Sequence, residues 1–347
     1  MKIQLLLALP LALTLGAMST TASATLLLRS AFNNAALSID GFGGGSGTIQ
    51  SDTPAGATIL KAYLYSSDVN GGGVAGDVTL NGTFLSSASG TLLTPNTSPA
   101  NHRIYDVTSN VAAAITLAGG GLVNHTIAES GFTDGETLVV IYRTASTLGT
   151  AIILDGELSQ GGDITTLVFA APYAGGDVFA SIADTFSYNG PPATGQITNI
   201  DVTTSSAPAR RLTSCAGGND DGGFTASNGF LITVGGIGDS PTNPDPNCVD
   251  GDDDDELYNL ALGNSADATP FLTAGDTSIE LRTNNPSFDD NVYGLFLTSS
   301  FTISQVDDEE IPEDDVPPTQ VPEPSTLALL GLGFLGAAKF RGRRGTK

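Results

Sequence analysis

Glu136-Thr-Leu-Val-Val-Ile-Tyr-Arg143 is the stretch on which the fold turns. Its β-branched and aromatic side chains suit a pleated surface better than a helix, and Gly135 bounds it. Ala151-Ile-Ile-Leu-Asp-Gly156 repeats that composition a few residues later. Upstream, Thr58-Ile-Leu-Lys-Ala-Tyr-Leu-Tyr-Ser66 alternates as a strand does. Beyond Gly71-Gly-Gly73, Asp77-Val-Thr-Leu-Asn-Gly-Thr-Phe-Leu85 predicts a hairpin closed at Asn81-Gly82. Further strands are expected over 163–170, 196–203, 229–235, 277–282 and 292–303. One segment differs: His102-Arg-Ile-Tyr-Asp106 ends a strand, and Asp106 or Thr108 then caps a short Ala-rich helix over about residues 109–117. So many short strands against one helix predict an all-β protein, a β-sandwich of jelly-roll type.

Both ends lie outside that body. Lys2, an apolar run from Leu5 to Ala17 and the small residues Ala22-Ser23-Ala24 predict a signal helix over 1–24, cut after Ala24 by signal peptidase. At the other end, Pro322-Glu323-Pro324 precedes the apolar and Gly-rich run Leu327 to Ala338. Lys339, Arg341, Arg343 and Arg344 follow. The prolines hold the chain extended, so a hydrophobic helix is expected only over about 325–340, and the basic cluster reads as a stop-transfer signal left in the cytoplasm. The run is shorter than the ~20 apolar residues of an ordinary spanning helix.

The Pro-Glu-Pro triplet, the short Leu/Gly helix and the terminal Arg cluster together resemble the PEP-CTERM sorting tail of Gram-negative bacteria. The resemblance covers about the last 26 residues. It implies export, transient residence in the inner membrane, and removal of the tail by an exosortase. Between body and tail, residues 304–321 hold seven acids and no base, with Pro312, Pro317 and Pro318, which predicts an extended, self-repelling linker.

Within the body, assigned to 25–303 with a possible division near 190–205, a second resemblance appears. Ala62-Tyr-Leu-Tyr65, Val78-Thr-Leu-Asn-Gly82, Tyr105-Asp-Val-Thr108, Thr137-Leu-Val-Val-Ile-Tyr142 and Leu154-Asp-Gly156, in this order, look like an uncharacterised extracellular β module of exported bacterial and archaeal proteins. Those motifs mark strand ends and turns, so they imply fold and location alone.

Charge narrows the partners. Without signal and tail the chain keeps seven basic residues against 36 acidic ones, a formal charge of −29. Such a surface repels phosphate backbones and anionic lipids, which argues against nucleic acid.

Cys215 and Cys248 are the only cysteines and, in an oxidising compartment, predict one disulfide worth roughly 3 to 4 kcal/mol; a metal pair or redox couple would lack a CxxC spacing. The bridge would draw together two acidic turns, Asn219-Asp-Asp221 and Asp250 to Glu256. Asn219, Asp220, Asp221, Asp250, Asp252 and Asp254 then form either a multi-loop Ca²⁺ site or a solvated acidic loop. It is not an EF-hand, because Asp255 and Ala261 fall where that loop needs Gly and Glu.

No HExxH or GxSxG motif is present, and His102 and His125 are the only histidines. No catalytic residue stands out. The expectation is a non-enzymatic exported protein of the cell surface or extracellular matrix, associated with exopolysaccharide or envelope. The rival is a carbohydrate-binding module or polysaccharide-acting hydrolase using its eight tyrosines, with Trp absent.

Overall fold

The computed structural model describes residues 26–68, 76–93, 101–131, 133–156, 163–185, 198–216, 232–243, 246, 256–284, 291–306 and 309–310. They form four antiparallel sheets. One outer sheet has the order β3 (Ser46–Thr53), β9 (Gly121–Ser130), β5 (Asp77–Leu80), β6 (Thr83–Leu85). The inner sheet facing it runs β2 (Ala36–Phe42), β10 (Gly135–Arg143), β4 (Thr58–Asp68), β8 (Asn101–Asp106), β7 (Thr91–Leu92). The second inner sheet runs β1 (Leu26–Asn33), β11 (Thr150–Gly156), β19 (Asn291–Ser299), β13 (Val178–Thr185), β16 (Ile232–Val234), with β17 (Leu257–Asn259) also on β13. The second outer sheet runs β15 (Arg210–Ala216), β14 (Thr198–Thr204), β18 (Ser278–Asn284), β12 (Ile164–Phe169), β20 (Ile303–Val306), β21 (Glu309–Glu310).

The expected all-β sandwich class is thus observed, but it is built twice and stacked into four layers. The apolar run of β10 explains why. Leu138 and Val140 enter a core shared with the first outer sheet, beside Ile49, Val78 and Ile127. Val139 and Ile141 point the other way, into a core shared with Ile153, Tyr293 and Phe296 of the second inner sheet. β11 does the same one layer on: Ile153 faces the central core, while Ile152 and Leu154 join Leu167, Ile279 and Leu281 in the third. Strands buried on both faces need apolar residues at successive positions, which is the pattern of both segments. The described chain starts with β1 in the second pair of sheets, crosses to the first pair at β2, and returns to the second pair at Thr150 after leaving β10 at Arg143.

Local signals are obeyed. Asn81 and Gly82 both take positive φ, 49° and 76°, as a tight two-residue hairpin requires. The helix α1 (Thr108–Ala118) buries Val111 and Ile115 in the first core and ends at the left-handed Gly119. Its N-cap differs from the expectation: Val107 occupies that position without a side-chain bond. Instead the Asp106 carboxylate accepts the Thr108 N–H at 3.0 Å, while Thr108 Oγ1 accepts the Ala62 N–H at 3.0 Å and ties the helix to β4. The segment expected as one strand over 292–303 is two, β19 and β20, in different sheets.

Candidate functional site

Most residues singled out in the sequence fall outside the described residues: Ala22 and Ala24, the tail from Pro322 to Arg344, Cys248, and the acidic turns with Asn219, Asp220, Asp221, Asp250, Asp252 and Asp254. Cys215 lies in β15. Among the described residues, no group of three or more His, Cys, Asp or Glu is placed to hold a metal, and no helix is long and apolar enough to cross a membrane.

What the fold does create is a cleft of about 520 Å³ along the edge where the two inner sheets meet. One wall is the β2 edge with Tyr142 of β10; the other is Phe179 of β13 and the glycine-rich turn after β16; buried Phe296 lies between them. That turn approaches β2 closely. A Cβ at Gly236 would stand 2.2 Å from the Ile39 carbonyl oxygen, and the next residue, Ile237, donates its N–H to that oxygen at 2.9 Å. Tyr142 and Phe179 remain partly exposed at the mouth. Asp52 is the one acid among the lining side chains, positioned by its backbone N–H on Ser38 Oγ at 2.8 Å. Burial, helped by the negative charge of Asp52, pushes the Tyr142 hydroxyl up, so it stays a neutral donor. Two partly exposed aromatic side chains, a hydroxyl and one carboxylate suit a neutral ligand better than an anion.

Sequence reasoning did not find this site. Tyr142 and Phe179 come from different sheets, and nothing local in either strand signals that they flank one opening.

The two histidines are buried in strands. His125, in the middle of β9, accepts a bond from Asn81 Nδ2 at Nδ1 (3.0 Å), so its proton sits on Nε2, facing Ser51 Oγ at 2.9 Å. His102, at the start of β8, meets Ser67 Oγ at 2.9 Å through Nδ1 and stacks on Tyr293, with ring centroids 4.8 Å apart. Burial lowers His125 to about 4 and His102 to about 3, so both are neutral at physiological pH. Ser67 has no exposed surface, so the Ser67–His102 contact is part of the packing.

A third polar group bridges the inner sheets: Asp155 of β11 accepts the Tyr65 hydroxyl of β4 at 2.8 Å and pairs with Arg29 of β1. Burial raises the Asp155 carboxyl, against the opposing pull of Arg29.

Among known proteins, the PEP-CTERM protein-sorting motif matches residues 320–344. No curated protein matches the chain. Solved structures similar to it include the STIV MCP, at 10% identity over 78% of this chain and 96% of that one, with a TM-score of 0.21. The major capsid protein P2 from bacteriophage PM2 is similar at 11% identity over 76% and 97%, with a TM-score of 0.20. The motif supports an exported protein, sorted by an exosortase to the cell surface or extracellular space.

Proposed function

We propose that this protein is a non-enzymatic component of the cell surface or extracellular matrix, in which a double β-sandwich is delivered by a temporary tail and associates with exopolysaccharide or envelope. The sorting motif at 320–344 carries this reading. Signal peptidase opens the path after Ala24, the tail holds the chain in the inner membrane for a time, and the acidic linker keeps the body clear of that membrane until an exosortase acts. Intact-mass measurement on culture supernatant and membranes tests it. A species beginning at Thr25 and ending near Pro322 is expected; an exported species still carrying Arg344 refutes tail removal.

A second reading, a carbohydrate-binding module or polysaccharide-acting hydrolase, is favoured by the cleft flanked by Tyr142 and Phe179. Saturable binding to a neutral polysaccharide, lost in Tyr142→Ala and Phe179→Ala, would establish the binding module, and product release would establish the hydrolase. Equal retention by both variants and the wild type would remove the cleft from either role.

A further inference from the structure

Glu129 and Glu136 are the last acid of β9 and the first of β10, so they flank the crossing from the first outer sheet to its inner partner. Glu136 has no exposed surface. Its Oε1 accepts the Ser66 hydroxyl of β4 at 3.2 Å. Its Oε2 is buried without any donor, and so is Oε1 of Glu129. The two carboxyl groups lie within hydrogen-bonding reach of each other. Two carboxylates offer acceptors only, so this contact is repulsive unless a proton sits between them.

Arg103 of β8 stands across Ser66 from Glu136 and donates from Nη1 to the Gly90 carbonyl at 3.0 Å. Tyr105 of β8 and Tyr293 of β19 also act electrostatically with Glu136, and burial raises both hydroxyls, which keeps them neutral. Beyond them stand two further acids, Asp77 of β5 beside Tyr105 and Asp184 of β13 beside Tyr293. Neutral His102 stacks on Tyr293, and Arg103 acts on Tyr105; among the described residues no cation acts on Glu136.

We propose that Glu129 and Glu136 share one proton and that this proton latches the outer sheet to the inner sheet at their crossing. With the proton in place, Glu136 donates from Oε2 to Oε1 of Glu129 and both orphaned oxygens are satisfied. When base removes it, a charge on fully buried Glu136 faces a like charge on partly buried Glu129, and β9 separates from the start of β10. Glu136 has no exposed surface, so its proton acts on the fold and not on an external substrate.

Burial, followed by the charge of Glu129, holds the Glu136 carboxyl well above the ordinary carboxylate range. A folded-state value above the unfolded one means the stabilisation is complete below the unfolded value and is lost as pH rises through the folded value. The opening is therefore alkaline.

The test is a carbon-13 titration of glutamate-labelled exported protein, alongside thermal melts between about pH 5 and about pH 9. One glutamate carboxyl is expected to titrate far above the others, and its signal disappears in Glu136→Gln. The amide of that variant supplies the missing donor without titrating, so its melting temperature should fall less steeply with rising pH than the wild type's. Glu129→Gln offers a donor to Oε2 and should lower the Glu136 midpoint, which keeps the proposal testable should Glu136→Gln not fold. Absence of any glutamate titrating above the ordinary range, or parallel melting curves for wild type and Glu136→Gln, overturns the latch.

Discussion

Leu138→Ala and Ile141→Ala test the four-layer arrangement directly. Both side chains have no exposed surface, yet they point into different cores. Truncating a buried Leu or Ile to Ala costs about 2 to 5 kcal/mol, from lost transfer energy and the cavity left behind. Each variant should therefore lose about 2 to 5 kcal/mol, a large share of the roughly 5 to 15 kcal/mol that holds a native protein together. The two sites are three residues apart on an extended strand, roughly 10 Å, and share no core, so the double variant should lose the sum to within about 0.5 kcal/mol. The assay is equilibrium urea unfolding of the exported body, read as a lower midpoint with an unchanged slope. In a sheet covered on one side only, one of these residues would face water and its truncation would cost no more than about 0.5 kcal/mol. Such tolerance at Ile141 would refute the stacking of the two inner sheets, and at Leu138 the packing of the first outer sheet on its inner partner.

Other outcomes follow from single contacts. Asn81→Ala removes the bonds from Nδ2 to Asn110 Oδ1 (2.8 Å) and His125 Nδ1 (3.0 Å) and the one received from the Thr126 N–H (3.1 Å), at a residue with φ of 49°. Thermal melts should show a loss of about 2 to 3 kcal/mol, and Asn81→Gly, which relieves the backbone alone, should recover only part of it. On the acid side, burial pulls Asp276 upward, but bonds from Ser206, Thr273 and Ser205 prevail and hold it at about 2. Its stabilisation is present above the ordinary aspartate value and is lost as pH falls through about 2, so Asp276→Asn should flatten that limb of an acid-unfolding curve. His102 and His125, depressed to about 3 and about 4, act in the same direction at higher pH: stability should decline as pH falls below about 6.5, and His125→Gln should soften that decline. A Ca²⁺ site at Asn219, Asp220, Asp221, Asp250, Asp252 and Asp254, the first of the two alternatives for these turns, predicts that millimolar Ca²⁺ raises the melting temperature over that in EDTA. Equal values in the two would leave these turns as solvated acidic loops.

Features legible in the sequence were those set within a few residues. Asn81-Gly82 announces its hairpin because few residues other than Gly and Asn readily take two successive positive φ values. Val111 and Ile115 sit one helical turn apart and announce the buried face of α1, and Gly119 its end. The sorting tail is legible for the same reason, since its proline triplet, apolar run and basic cluster act in sequence order. By contrast, β3 and β9 carry Ser, Thr, Asn or Gly at four or more positions, and the pairing partners of β1, β3 and β13 are remote. Leu26, for instance, pairs with Gly156, and Phe179 with Thr298.

The sequence by itself determined the all-β class, the helix α1, the main hairpin and the exported fate marked by the tail, because local sterics and an ordered signal decide each of these. Tertiary structure alone decided what the strands face. In Leu138-Val-Val-Ile141 both faces are apolar, so period-two alternation cannot say which layer lies on either side. The same holds for the Glu129–Glu136 contact and the Tyr142–Phe179 cleft. A carboxyl group meets another, and two rings flank one opening, only once four sheets have closed over them.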